Sequence, residues 1–144
     1  MFYQNKNPKM KKLLSINCPD YAFNTATFLL RIGLGILMMY HGYGKLVKFA
    51  EMKSEFMNFM GMGSTVSLVL VIFAEFFCAM FIVLGLFTRV ATVPLIICMA
   101  VALGKAHNWD FAGDGSSAAL YLCGYISILL LGPGKASVDG IAGK

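Results

Sequence analysis

One run limits the fold more than any other feature: TVSLVLVIFAEFFCAMFIVLGLF, residues 65–87, with a single charged residue, Glu75, near its middle. A bilayer core of about 30 Å asks for about 20 helical residues, so this run spans a membrane by itself. Three more apolar blocks occupy residues 26–40, 90–104 and 118–132. The first reaches spanning length when extended to 24–45. The third and fourth are shorter and lean on their polar shoulders or on a thinner bilayer. No block alternates with period two, which argues against the strands of an outer-membrane barrel. Only 13% of the 144 residues are charged and 58% are hydrophobic, against about a quarter charged in a soluble domain. The expected fold class is an all-α membrane protein, a bundle of four transmembrane helices in one domain (25–144), preceded by a polar, basic N-terminal segment (1–24).

That segment has no apolar run long enough for a cleavable signal, so the first helix is expected to act as an uncleaved anchor. With the N-terminus inside, the inner segments hold Lys6, Lys9, Lys11, Lys12, Arg89, Lys135 and Lys144, and the outer ones Lys45, Lys48, Lys53 and Lys105. The excess of basic residues predicts a multi-pass protein with both termini on the cytoplasmic side. The net charge of +5 is then a matter of topology, and no nucleic-acid partner is implied. Between the first two spans, Phe49, Met52, Phe56 and Phe59 recur at helical spacing with Lys48, Glu51 and Glu55 on another face. An amphipathic helix over 46–60 is expected, lying in the membrane interface or folding back as a flap over the bundle.

Charges within spans are costly and ask for a partner or a purpose. Arg31 lies inside the first span and Glu75 at the worst depth of the second. At about 100° per residue, His41 falls about 80° and Lys45 about 40° from Arg31, and Arg89 about 40° from Glu75. Arg31, His41 and Lys45 on one helix and Glu75 and Arg89 on the next therefore predict an intramembrane polar network, with Arg31 in reach of Glu75. Such a network either fixes helix register or lines a pocket for a head group, a quinone or a proton. Lys45 can also snorkel to the interface. Cys18, Cys78, Cys98 and Cys123 show no paired spacing and read as packing residues. His107 with Asp110 and Asp114 matches no metal signature and reads as a solvated loop; no metal site is expected.

The order of motifs carries a resemblance. RIGLGILMMYHGYGKL (31–46), FAEFFCAMFIVLGLFTR (73–89), His107 after the third block and LGPGKASVDGI (131–141) together resemble the DoxX family of small four-helix membrane proteins. The resemblance implies a cytoplasmic-membrane bundle and a subunit or accessory of a quinone-linked redox or oxidative-stress system, embedded in lipid beside partner membrane or redox subunits or as a homo-oligomer. It marks His107, Gly132, Pro133, Gly134, Ser137 and Asp139 as motif positions without assigning them a role. No catalytic residue is assigned, and no haem, flavin or iron–sulfur signature is present; a quinone is the cofactor the resemblance brings to mind. The competing expectation is a non-enzymatic scaffold, or a permease for protons or small molecules, with a structural charge network.

Overall fold

The computed structural model describes residues 17–143. The basic lysines at 6, 9, 11 and 12 and Lys144 lie outside the described residues. Among the described residues the chain is helical, without strands. Helix α1 (Asp20–Val47) is followed by one turn of helix, α2 (Phe49–Met52), then by α3 (Ser64–Leu84), α4 (Thr88–Ala106), α5 (Ser116–Leu131) and a last short turn, α6 (Val138–Ile141). Three of these, α1, α3 and α4, are long and apolar enough to cross a membrane; α5 is apolar but has 16 residues. The chain is a membrane protein with several apolar helices.

The core is formed where α1, α3, α4 and α5 meet, by Met38, Cys78, Ala79, Ile82, Leu95, Met99, Tyr125 and Ile128 among others. Tyr125 is fully buried and donates its hydroxyl to Leu34 O at 3.3 Å, which satisfies a phenol that would otherwise be stranded. Large apolar side chains such as Leu37, Val69, Ile97 and Leu130 point outward, as expected where the surrounding solvent is lipid.

Helices α1 and α3 run antiparallel, and their register is set by glycine. A Cβ on Gly42 would stand 2.7 Å from both Glu75 C and Phe76 N, and one on Gly35 would stand 3.2 Å from Ala79 O. Backbones approach this closely only where the side chain is absent. This places Gly42 opposite Glu75 and Arg31 opposite the end of α3.

Two stretches depart from α geometry. Phe73–Cys78 in α3 and Ala102–Ala106 in α4 are π-helical; the i→i+5 pattern adds a residue to the winding and recurs at functional sites. The expected amphipathic helix over 46–60 is not continuous. Helix α1 extends to Val47, one turn of α2 follows, and residues 53–63 form a strap of turns. Side chains compete with helical bonding there: Asn58 Oδ1 accepts from Gly63 N at 2.9 Å, Ser67 Oγ accepts from Phe59 N at 2.9 Å, and Thr65 Oγ1 donates to Lys53 O at 3.3 Å. Met60, Gly61 and Gly63 all have positive φ. The strap folds back toward α3, as a flap would.

Candidate functional site

The charged residues resolve into two separate clusters, one at each end of the bundle. At the first, Lys45 near the end of α1 turns inward and pairs with Glu75, Nζ to Oε2 at 2.5 Å. Glu75 is 5% exposed. It sits in the π-helical turn of α3, which Gly42 allows to approach α1. Its other oxygen, Oε1, accepts from the Cys98 thiol of α4 at 3.8 Å.

This pair lies on the wall of a cavity of about 570 Å³ between α3 and α4. Helix α3 contributes Ser67, Leu70, Val71, Phe73, Ala74 and Glu75; α4 contributes Pro94, Ile97, Cys98, Val101, Ala102 and Ala106. Phe56, Met57 and Phe59 of the strap close over it, and His107 adds an imidazole just beyond α4. Both π-helical turns supply lining residues. Leu70, Phe73 and Ile97 are also exposed on the outer surface, so the cavity borders the lipid-facing side between the two helices. The volume lies within the range of small-molecule pockets, about 300–1,000 Å³, and the plan is the usual one: apolar walls with few polar groups.

The second cluster is a tie. Arg31, 1% exposed, donates to Ile82 O at 3.1 Å and Val83 O at 3.3 Å at the end of α3, to Ala136 O at 3.1 Å, and to Pro133 O. A cation at a helix C-terminus meets carbonyls that lack helical partners. Gly85 ends α3 with φ +69°, and a Cβ there would stand 2.7 Å from Arg31 Nη2. Asp139 caps α4 from a distance: its carboxylate accepts from Phe87 N (3.0 Å), Thr88 N (2.9 Å) and Thr88 Oγ1 (3.1 Å), while its own N–H donates to Gly85 O (2.9 Å). Asp139 also acts electrostatically on Arg31. Gly132 and Gly134, with φ of +83° and +71°, turn the chain back under α1, Ser137 caps α6 by accepting from Gly140 N at 2.9 Å, and Asn24 Oδ1 accepts from Lys135 N at 2.7 Å.

The structure thus divides the expected polar network. Arg31 does not meet Glu75. The glycine register sets it opposite Ile82–Gly85, at least seven residues or about 10 Å further along α3, with Cys78 and Ala79 buried between. Arg89 does not share a helix with Glu75, because Gly85 ends α3 and Thr88 starts α4. It is exposed on the first turn of α4, where an added Cβ at Gly132 would meet its Nη2 at 3.2 Å. His41 is exposed beside α5, edge-on to Tyr121 with ring centroids 6.2 Å apart, and does not line the cavity. His107 does. Asp110 spends its carboxylate in its own turn, accepting from Gly113 N at 2.9 Å.

Residues 26–108, more than half of the chain, match the family model described as DoxX. The chain belongs to the DoxX family. No curated protein and no solved structure matches it. In this DoxX protein the matched span holds Arg31, Lys45, Glu75 and Cys98 and closes just past His107, so the whole cavity lies within it. The hook that carries Gly132, Pro133, Gly134, Ser137 and Asp139 lies beyond it.

Three contributors to the site escape the charge-based reading of the sequence. Cys98 reads as packing, yet it faces the cavity. Ser67 carries no expectation from the sequence, yet its hydroxyl accepts from Phe59 N and holds the strap. The phenylalanine spacing at 56 and 59 marks an apolar face, but not what that face covers.

Proposed function

We propose that this DoxX protein crosses the cytoplasmic membrane four times, with both termini inside, and binds a lipophilic quinone-type molecule as a subunit or accessory of a quinone-linked redox system. The observation that carries the reading is the apolar cavity ending at the Lys45–Glu75 pair. A quinone needs an apolar slot for its tail and hydrogen-bonding groups near its ring oxygens, and the cavity offers both. The redox chemistry would be supplied by the quinone/quinol couple, with a partner subunit as the other electron carrier. For the fourth crossing, the 16 residues of α5 reach about 24 Å, which a locally thinner bilayer or its polar shoulders accommodate.

The Arg31 cluster supports a different role for the other half of the expected network. Arg31 is consumed by backbone carbonyls and Asp139 by a helix start, which is the work of a scaffold. The packed core between the clusters also weighs against a proton or solute path joining them.

The test is to extract the full chain from membranes in mild detergent and assay the bound lipid for quinone. Co-purifying quinone in the wild type, reduced in a cavity-filling Ala74→Phe variant, is expected. Protein that carries no quinone, and whose melting temperature does not respond to added quinone, would sink the reading.

A further inference from the structure

The geometry points to the kind of head group the cavity takes: a neutral amphiphile that donates a hydrogen bond, a quinol or another long-chain phenol or alcohol, with Glu75 Oε1 as its acceptor. This rests on the reading that the cavity binds a lipophilic ligand, and it fixes the chemistry of that ligand's polar end.

The two polar groups at the head of the cavity are already matched to each other. Glu75 Oε2 takes the Lys45 ammonium at 2.5 Å. Glu75 Oε1 has one partner among the described residues, the Cys98 thiol at 3.8 Å, and a thiol is a weak donor. An ionised carboxylate has acceptor sites on both oxygens and no donor. Lys45 keeps further N–H donors, but its side chain is 25% exposed against 7% for Glu75, so the buried unused capacity at this wall is an acceptor, held on a rigid π-helical turn against α1. A head group that donates an O–H to Oε1 meets a charge-assisted bond. One that only accepts meets a carboxylate with nothing to give and must look to Lys45 or His107.

An anionic head is disfavoured by the same arrangement. Among the described residues, Lys45 is the only fixed cation on the cavity wall, since the other ionisable lining groups are Glu75, Cys98 and His107. A carboxylate or phosphate would have to share Lys45 with Glu75 and stand beside that carboxylate in an apolar site, where like charges repel strongly. The remaining walls, Leu70, Phe73, Ile97 and Val101 with Phe56 and Phe59 above, suit an alkyl or prenyl tail.

The test uses the full chain in lipid nanodiscs, with protein-free discs subtracted, and four probes of similar tail length: 4-decylphenol, 4-decylanisole, decanoate and a decyl-quinone. The phenol should bind about tenfold more tightly than its methyl ether, or more, because the ether leaves a charged acceptor unpaired. Decanoate should not displace the phenol. Glu75→Gln should shrink the phenol preference and let decanoate bind, since Lys45 is then released. Cys98→Ala, which removes only a weak donor, should keep the preference and guards against a poorly folding Glu75 variant. Equal binding of phenol and ether, or loss of the preference in Cys98→Ala, overturns the inference. Phenol binding with no binding of a decyl-quinone leaves it standing and removes the quinone reading. Equal phenol and ether binding with a decyl-quinone that does bind does the reverse. No binding by any probe removes both.

Discussion

Replacing Arg31 with alanine tests how the bundle is held together. Arg31 bonds four backbone carbonyls from two separate segments, Ile82 and Val83 at the end of α3 and Pro133 and Ala136 in the C-terminal hook. Each buried carbonyl left without a donor costs about 1–3 kcal/mol. The four are not independent, because the hook can relax once released, so a loss of about 3–5 kcal/mol is expected, the range seen when one member of a buried polar pair is deleted. Arg31→Lys keeps the charge but replaces a five-donor fork by a single ammonium, and should lose roughly half as much. Equilibrium unfolding in mixed micelles, followed by circular dichroism, reads both values. Combining Arg31→Ala with Asp139→Ala should cost less than the sum of the two, since both act on the same junction at Gly85. An Arg31→Ala protein within about 1 kcal/mol of wild type would refute the tie, given that each unsatisfied carbonyl alone should exceed that.

Other perturbations separate the remaining contacts. Lys45→Met and Glu75→Leu should each destabilise by about 3–5 kcal/mol, whereas the double variant should return close to wild type, because an apolar pair replaces a buried ionic one; additive losses would show that the two charges act separately. Gly42→Ala should cost about 1–3 kcal/mol, as the contacts at 2.7 Å are backbone atoms that cannot rotate away, while Gly44→Ala, with nothing within 4 Å, should be neutral or slightly stabilising; equal effects at the two positions would undo the register argument. Ser67→Ala removes the acceptor for Phe59 N and should speed limited proteolysis within residues 53–63 with little change in melting temperature; unchanged cleavage would mean that the strap is held by other contacts.

The apolar blocks of the sequence announce helices well because length and hydrophobicity are local properties. The block 65–87 becomes Ser64–Leu84 and the block 90–104 becomes Thr88–Ala106. Helix ends and pairings are less legible. The angle that set Arg89 beside Glu75 assumed one unbroken α-helix, and both the π turn at Phe73–Cys78 and the left-handed Gly85 break that assumption. The angle that set Lys45 and Arg31 on one face of α1 leads both toward α3. Which residue each one meets depends on the register between helices, fixed by Gly35 and Gly42, and no periodicity within a single helix carries that information. Glu75 could be singled out because a carboxylate in an apolar run is costly anywhere. Its partner could not, because Lys45 reads equally well as a snorkelling side chain. The strap's phenylalanines were visible as an apolar face, but the Ser67 and Asn58 bonds that bend them over the cavity are tertiary.

The most direct measurement is photo-crosslinking of the membrane-embedded protein with a quinone carrying a diazirine on its tail, followed by peptide mapping. The cavity predicts adducts on the strap around Phe56–Phe59 and on the facing stretches of α3 and α4, near Leu70–Ala74 and Ile97–Ala102, competed by unlabelled quinone and lost in Ala74→Phe. Adducts confined to the α1–α5 face around His41 and Tyr121, or labelling that unlabelled quinone does not compete, would contradict the account.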